Sequence, residues 1–498
     1  MTAVVIILVL IVGGPLAWLA GRRDGGLARW VALGTLALAL LWLFLFWAWA
    51  PAAGTVPGQG PWLTDLRLPW IPSFGIGFHF GMDGLSLTLA VLTLFLGMIA
   101  VTASWTEIQG RAGFYYLNLL WAITGVLGVL TALDMFLFFL FWELMLVPMY
   151  FLISLWGHGD SNRAAIRFFL FTQGSGLLLL VGILILVYGH QAATGTLTFD
   201  YEALRTHTGL SPQLAMWAML GFFLAFAVKL PALPLHTWLP DAATLAPTGG
   251  SIVLTAILDK APAYGLIRFL YPLFPDATGH LAPAAMALGV AGVVYGGVLA
   301  FAQSDIKRLV VYSSISHMGF VLLGVFAWNT LALQGVVMQL IAHGIAAAAL
   351  FMIAGGIRER LHTLDGDRMG GLWAQVPRLS AMGLLFAMAT LGLPGFGNFV
   401  AEILILVGTF RGYPVLTLVA VLGMITTTVY ALVLVQRAFH GSPRQAEAGR
   451  DYGVREGLAM AVMTVLIVWL GLYPQPVFHA AAPALAALGP AVTPMGGG

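Results

Sequence analysis

The sequence contains no cysteine and few charged residues. Charged side chains make up 8% of its 498 residues, whereas soluble domains contain about 25%. Without cysteine, a disulfide framework, a thiolate metal site and a cysteine-ligated iron–sulfur cluster are excluded. The formal net charge of +2 is too small to indicate a nucleic-acid partner. The residue spacings contain no metal-ligand cluster, no glycine-rich phosphate loop and no nucleophile elbow.

Apolar residues are present in excess. Hydrophobic residues make up 60% of the chain and aromatic residues 12%, a composition that predicts an all-α polytopic membrane protein. Windows of about 20 apolar residues predict fourteen transmembrane helices, near 2–20, 28–50, 82–104, 113–132, 134–155, 165–188, 213–238, 248–271, 281–301, 309–327, 330–357, 379–410, 413–436 and 456–473. The longest polar connections are 51–81, 189–212 and 474–498, so no soluble domain is expected.

The basic residues indicate how the helices are oriented. The first span has no basic region before it and no small-residue cleavage site after it, so we expect a retained helix and not a signal peptide. If the first loop is cytoplasmic, the loops on that side hold 16 of the 22 lysines and arginines, and the opposite loops hold 3. Cytoplasmic loops are rich in lysine and arginine. Both termini are therefore predicted on the non-cytoplasmic side.

Two of the predicted spans are interrupted. The seventh contains Lys229 followed by Pro231 and Pro234, and the twelfth contains Leu393-Pro394-Gly395-Phe-Gly-Asn. Irregular backbone at membrane depth is tolerated only where it is buried in protein or lines a wet cavity. A charge beside a broken helix is typical of an ion site in a transporter. The alternative is a kinked helix whose lysine reaches the membrane interface.

The interruptions recur at equal intervals. Spans four to eight and nine to thirteen form two units of five helices, and the fourth helix of each unit is broken. Five is an odd number, so the second unit must be inverted in the membrane, as in many secondary transporters. We therefore divide the chain into 1–112 (helices 1–3), 113–271 (first repeat), 281–436 (inverted repeat) and 437–498 (helix 14 and tail).

Ionisable residues inside the predicted spans are the candidates for function, because such residues are costly at bilayer depth. They are Glu143, Lys229, Asp259, Lys260, Arg268 and Glu402, together with His236, His317 and His343. Burial favours the neutral form of a carboxylate or an ammonium, and an opposite charge favours the ionised form. Making or breaking a Glu143–Lys229 pair would therefore load and unload a proton. The alternative is a static buried ion pair, which adds little stability.

Three of these residues are open to more than one interpretation. A lone histidine in an apolar helix is commonly a core residue, but the neighbouring carboxylates and lysines make His317 and His343 candidates for a proton relay. Asp259 is adjacent to Lys260, and the two side chains would point about 100° apart on a regular helix. Asp259 is either a local counter-ion or faces a neighbouring subunit.

Several motifs together resemble the antiporter-like subunits of respiratory complex I, which are similar to Mrp-type cation/proton antiporter subunits. The motifs are Gly81-Met-Asp83-Gly-Leu-Ser-Leu, Phe141-Trp-Glu143-Leu, Ala227-Val-Lys229-Leu-Pro, His236-Thr-Trp-Leu-Pro-Asp241 and Ser304-Asp305-Ile-Lys307-Arg308-Leu. Within that group the chain most resembles the M-type (chain 4) subunits of bacterial NADH:quinone oxidoreductase. Glu402, where sister subunits carry lysine, is the most discriminating feature.

The resemblance implies a role for each matching residue. Glu143 and Lys229 would form the inner-half pair, Lys260 and His317 the central connection, and Glu402 the exit to the non-cytoplasmic side. The implied function is that of a proton-translocating membrane-arm subunit, in a bacterial inner membrane with both termini periplasmic. Its implied partners are other membrane-arm subunits, including homologous ones, the lipid bilayer, protons and internal water. NADH, FMN, iron–sulfur clusters and quinone would be bound by other subunits and none by this chain.

The sequence departs from the family pattern at two places. The segment after Asp241 lacks a histidine that relatives often carry, and Asp259 stands where many relatives have an apolar residue. Three other functions remain as alternatives: a subunit of a Mrp-type sodium/proton antiporter, a membrane subunit of a ferredoxin- or hydrogenase-linked complex, and a non-pumping structural subunit. The last would tolerate neutral replacement of Glu143 and Lys229.

Overall fold

The computed structural model describes residues 1–49, 62–443 and 449–489. Its helices are α1 (Thr2–Gly21), α2 (Gly25–Trp49), α3 (Gly84–Ala103), α4 (Ala112–Thr131), α5 (Met135–Leu144), α6 (Leu146–Trp156), α7 (Ser161–Thr194), α8 (Tyr201–Thr206), α9 (Pro212–Lys229), α10 (Leu239–Leu245), α11 (Thr248–Ile252), α12 (Lys260–Gly265), α13 (Tyr271–Leu273), α14 (Pro275–Phe301), α15 (Ile306–Ala327), α16 (Thr330–Leu361), α17 (Leu372–Gln375), α18 (Pro377–Thr390), α19 (Gly397–Phe410), α20 (Pro414–Ala438), α21 (Val454–Leu472) and α22 (Gln475–Ala486). Strands β1 (Thr64–Ile71) and β2 (Ile76–Met82) form one hairpin.

The helices confirm the predicted all-α membrane architecture. In the described ranges, 13 helical segments are long and apolar enough to cross a membrane. The predicted span 379–410 is divided into α18 and α19, each of 14 residues. A helix of that length is about 21 Å long, shorter than the roughly 30 Å hydrocarbon core. The two half-helices therefore share one crossing, which accounts for the fourteenth predicted span.

Among the described residues, the eighth span is one of the two most deeply buried spans, together with α16. It runs from Thr248 to Leu273, and the whole of its most apolar window is enclosed by other helices. Two π-helical segments, Val253–Leu258 and Leu266–Leu270, join α11, α12 and α13 into one continuous helix. π-Helical turns are frequent at functional sites. Lys260 lies directly between these segments.

Glycine brings several helices into close contact. Gly289 and Gly296 of α14 face Gly319 and Ser316 of α15, and a Cβ at either glycine would lie 3.0 Å or less from the opposing backbone. Small residues allow transmembrane helices to approach closely where no hydrophobic effect draws them together.

The connections carry secondary structure that the sequence did not predict. The connection 51–81 contains most of the β1–β2 hairpin, although residues 50–61 lie outside the described part. Gly75 turns the hairpin with φ at 66°, and a Cβ there would collide with the carbonyl oxygen of Leu197. The connection 474–498 contains α22, where the Ala480 carbonyl packs on Gly84 at the start of α3. Residues 490–498 are not described.

Both predicted helix breaks are present. α9 ends at Lys229 and the chain resumes as a helix at Leu239, whereas α18 ends at Thr390 and α19 begins at Gly397. The inverted relation between the two five-helix units, and the boundaries drawn between them, stay predictions.

Candidate functional site

The first helix break holds Lys229 in a largely uncharged setting. Lys229 is the last residue of α9, and its side chain is buried. Its Nζ atom donates a hydrogen bond to the carbonyl oxygen of Trp142 at 2.8 Å and lies 3.8 Å from the centroid of the Trp142 ring. A carbonyl dipole and an aromatic face both stabilise an ammonium group. Lys229 is therefore held by partners that carry no formal charge.

Glu143 is a neighbour of Lys229 without a direct hydrogen bond to it. Glu143 lies near the end of α5, and its carboxylate packs so closely on Gly176 of α7 that a Cβ there would collide with Oε1. The Gln173 side chain is also adjacent, and the charge of Lys229 acts on the carboxylate electrostatically. Oε1 accepts no hydrogen bond from the part of the chain that the structure describes. The predicted pair is therefore close in space but not bonded.

Lys260 has three polar contacts deep in the bundle. Its Nζ atom lies 2.8 Å from Oδ1 of Asp259, 2.8 Å from Nδ1 of His343 and 3.4 Å from the carbonyl oxygen of Thr255. Lys260 and Asp259 are each 2% exposed. Of the two interpretations of Asp259, the structure shows the local counter-ion. The regular 100° spacing does not hold here because a π-helical segment ends at Leu258.

A line of side chains continues from Lys260 to the second helix break. The rings of His343 and His317 have centroids 5.3 Å apart. Nδ1 of His317 lies 3.2 Å from Oε1 of Glu402. We call Lys260, His343, His317 and Glu402 the central line. The resemblance implied Lys260 and His317 as the central connection, and in the structure His343 lies between them.

The second helix break shapes the surroundings of Glu402. Gly392 and Gly395 have φ values of 78° and 103°, a region of backbone conformation that favours glycine. A Cβ at Gly392 would lie 3.1 Å from Oε2 of Glu402. The break therefore places the backbone against the carboxylate, which is 1% exposed.

Sequence reasoning missed four polar residues beside these groups. Nε2 of Gln339 lies 3.2 Å from Nδ1 of His317, and the Tyr430 hydroxyl lies 3.5 Å from Nε2 of the same histidine. Asn398 is fully buried one turn before Glu402, and within the described residues neither atom of its amide has a hydrogen-bond partner. Gln173 is the fourth. For Asn398 and Gln339, an amide four residues before a buried ionisable residue was the available signal, whereas the sequence contains no such signal for Tyr430 or Gln173.

Two predicted candidates lie outside the central line. The His236 ring packs edge-on against Tyr295, with ring centroids 5.3 Å apart. Arg268 forms a buried ion pair with Asp83 and donates from Nε to the Tyr264 hydroxyl at 3.1 Å. Asp83 also accepts a hydrogen bond from the Ser86 amide at 2.9 Å and so caps α3. The Gly81-Met-Asp83 motif thus anchors the start of α3 to the eighth span.

Within 1–49, 62–443 and 449–489, no three histidine, aspartate or glutamate side chains are grouped so that they could hold a metal ion.

Comparison with known proteins gives concordant matches. A family model described as "NADH:quinone oxidoreductase/Mrp antiporter, TM" matches residues 132–429. NADH-quinone oxidoreductase subunit M of Pseudomonas aeruginosa is 50% identical over 488 residues, covering 96% of this chain and 95% of the relative. A chain of respiratory complex I from Thermus thermophilus superposes with a TM-score of 0.87 at 30% identity, covering 98% of this chain and all of that one. A chain of the Mrp complex from Dietzia superposes with a TM-score of 0.84 at 24% identity, over 99% of this chain and 53% of the other.

Proposed function

The chain belongs to the NADH:quinone oxidoreductase/Mrp antiporter family of transmembrane proteins, and from that premise we propose that it is the proton-translocating M-type subunit of a bacterial NADH:quinone oxidoreductase. It is part of a translocase whose redox cofactors, NADH, FMN, iron–sulfur clusters and quinone, belong to other subunits. Its partners are the other membrane-arm subunits, including homologous ones. Its location is the inner membrane, with both termini on the periplasmic side.

The observation that carries this proposal is the central line between the two helix breaks. The ammonium of Lys260 donates toward Nδ1 of neutral His343, which is 2.8 Å away. The proton passes from His343 to His317 by ring rotation or through one bridging water, because the ring centroids are 5.3 Å apart. Nδ1 of His317 then delivers it to Oε1 of Glu402 at 3.2 Å. Each group regains its starting form when the next proton follows.

Glu143 and Lys229 supply the control step of this mechanism. When Lys229 leaves the Trp142 carbonyl and approaches Glu143, the two charges offset each other. When it returns, an unneutralised ammonium charge lies in the buried core. Charges interact strongly in a medium of low dielectric constant, so this movement changes how readily Lys260 releases its proton. Electron transfer in the other subunits supplies the energy.

Antiport of sodium is not proposed. The similarity to the Mrp complex chain, at 24% identity, concerns the fold alone. The M-type relative matches at 50% identity over nearly the full length of both proteins.

The test is a pair of variants in membranes that carry the whole complex. Glu143→Gln keeps the shape of the side chain and removes its charge. We expect NADH oxidation and proton pumping to fall together, by about tenfold or more, while the complex still assembles. Lys260→Ala is expected to do the same, because it removes the first donor of the central line. If both variants pump at the wild-type rate, the proposed function is wrong and the chain is a structural subunit.

A further inference from the structure

A cavity at one end of the bundle contains charged residues that the proposed mechanism does not use. Its volume is about 370 Å³, and its lining includes Thr106, Glu107, His158, Thr248 and Glu359. These residues come from the loop after α3, the loop after α6, the start of α11 and the end of α16. Their loops are rich in arginine, and the distribution of basic residues assigns them to the cytoplasmic side.

Glu107 connects this cavity to the eighth span. Oε1 of Glu107 lies 3.0 Å from Nε2 of His158, and Oε2 accepts a hydrogen bond from the Thr248 backbone amide at 2.8 Å. Burial opposes ionisation of Glu107, but the hydrogen bond to His158, the charge of Lys307 and the hydrogen bonds to Thr248 together lower its pKa. The carboxylate is therefore ionised at neutral pH and can accept a hydrogen bond from the adjacent imidazole. The His158 side chain is 32% exposed and is open to solvent.

From the cavity a row of hydroxyl groups follows the eighth span inward. Thr248, Ser251 and Thr255 are spaced three and four residues apart and lie on one face of the helix; we call them the hydroxyl face. Thr255 Oγ1 donates to the Ser251 carbonyl oxygen at 2.6 Å. Lys260 Nζ donates to the Thr255 carbonyl oxygen at 3.4 Å.

The π-helical turn extends this face as far as Lys260. Lys260 is five residues after Thr255, a spacing that would leave the face of a regular α-helix. Between them lies the π-helical segment Val253–Leu258, and a π-helix repeats its contacts at i and i+5. The eighth span therefore leads from Glu107 to the first residue of the central line along a continuous polar face.

Other polar groups surround the outer part of this face. Gly249 leaves room for the hydroxyls of Ser104 and Tyr115, which lie 2.8 Å apart. The buried ammonium of Lys307 donates to the carbonyl oxygen of Ala246, just before the eighth span begins. Together, these hydroxyl and ammonium groups near Gly249 provide the hydrogen-bond partners that internal water needs.

We infer that His158 and Glu107 take up protons from the cytoplasmic solution and pass them along the hydroxyl face to Lys260. A proton arriving on one nitrogen of His158 displaces the proton on Nε2 to Oε1 of Glu107. Glu107 releases it through water at the hydroxyl face to the neutral amine of Lys260, which becomes an ammonium, and the carboxylate is restored. This inference rests on the proposed function and adds the residues through which protons are taken up.

The decisive variant is Glu107→Gln, which keeps the acceptor for the Thr248 amide but cannot carry a proton. In inverted membrane vesicles, whose outer face is the cytoplasmic one, we expect proton uptake to become rate-limiting. NADH-driven pumping in the variant should then follow the proton concentration and fall by up to about tenfold per pH unit on the alkaline side. The wild type should change far less over the same range. His158→Gln should show a weaker form of the same pH profile.

Chemical rescue gives a second, independent readout. Glu107→Ala enlarges the cavity next to Thr248, and added formate should restore pumping at alkaline pH by supplying a mobile carboxylate. The matched control is Glu359→Gln. Glu359 lines the same cavity but accepts its hydrogen bond from the Thr106 hydroxyl, at 3.2 Å, and within the described residues no hydrogen bond joins it to the eighth span. This control should keep the wild-type rate and pH profile and should not respond to formate.

Two outcomes would overturn the inference while leaving the proposed function in place. In the first, Glu143→Gln abolishes pumping but Glu107→Gln retains the wild-type rate and pH profile. In the second, Glu107→Ala is impaired at every pH and formate has no effect, which identifies Glu107 as an anchor for the eighth span only. If Glu143→Gln and Lys260→Ala both pump at the wild-type rate, the proposed function fails first, and the inference fails with it.

Discussion

The two halves of the buried ionisable set are built differently. In one half, Lys229 contacts a carbonyl oxygen and an aromatic ring, and no hydrogen bond joins it to Glu143. In the other half, Lys260, His343, His317 and Glu402 follow one another, with a hydrogen bond at the Lys260 end, one ring-to-ring step in the middle and an ion-pair contact of 3.2 Å at the Glu402 end. The first half lacks a hydrogen bond between its two ionisable side chains, whereas the side chains of the second form a nearly continuous row.

We propose that this difference separates the control of proton transfer from proton conduction. A continuous row of donors and acceptors conducts protons in either direction and cannot by itself control them. Control requires an element with two arrangements of comparable free energy. Lys229 has uncharged partners, the carbonyl and ring of Trp142, on one side and the Glu143 carboxylate on the other. The backbone that follows Lys229 is not helical. We place the switch at Lys229 and conduction in the central line.

The largest effect is expected for substitutions of Lys229, where we place the switch. Lys229→Arg keeps the positive charge, but a planar guanidinium with five donors cannot move between a carbonyl and a carboxylate as the compact ammonium does. We expect coupled NADH oxidation to fall by about tenfold or more, as for Lys229→Met, measured in membranes with assembled complex. A static ion pair would require only the charge. Normal pumping by Lys229→Arg would therefore show that the charge alone suffices and that the ammonium need not move between two partners.

A smaller effect is expected where the central line is interrupted. His343→Gln retains a polar side chain but cannot shuttle a proton between Lys260 and His317, so we expect pumping to fall several-fold, up to about a hundredfold. The matched control is His236→Gln, which changes another buried histidine that lies outside the central line. The measurement is proton pumping per NADH oxidised. Equal effects of the two substitutions would contradict the assignment of His343 to the line.

The smallest effect is expected at Gln339, which orients His317. Its amide nitrogen lies 3.2 Å from Nδ1 of His317, and Gln339→Leu removes this contact while preserving most of the volume. Loss of one buried hydrogen bond costs about 1 kcal/mol, equivalent to roughly a fivefold lower rate if it is lost at the limiting step. A kinetic measurement on the assembled complex would detect this change. A loss as large as that of Lys229→Arg would show that the central line also contains the control step.

Much of the protein is determined by local sequence. The 20-residue apolar windows set the number of spans, because each span must be long enough to cross the hydrocarbon core. The prolines after Lys229 and the Pro394-Gly395 pair predicted both helix breaks, because proline removes a backbone donor and glycine permits positive φ. The ionisable residues stand out because charge is costly at that depth. The resemblance of the motifs indicated the family, and the family model and the similar relatives showed it.

Contacts between helices were decided only by the tertiary structure. Sequence spacing relates residues on one helix, but His343 and Lys260 are 83 positions apart, and only packing places His343 between Lys260 and His317. The same holds for the Trp142 carbonyl, which bonds Lys229 where the sequence predicted Glu143 as the only partner. The π-helical turn that directs Asp259 and Thr255 toward Lys260 is also a product of packing. Shifting the helical hydrogen bonds by one residue costs little free energy locally. The residues packed around the eighth span therefore decide where the π-helical turn forms.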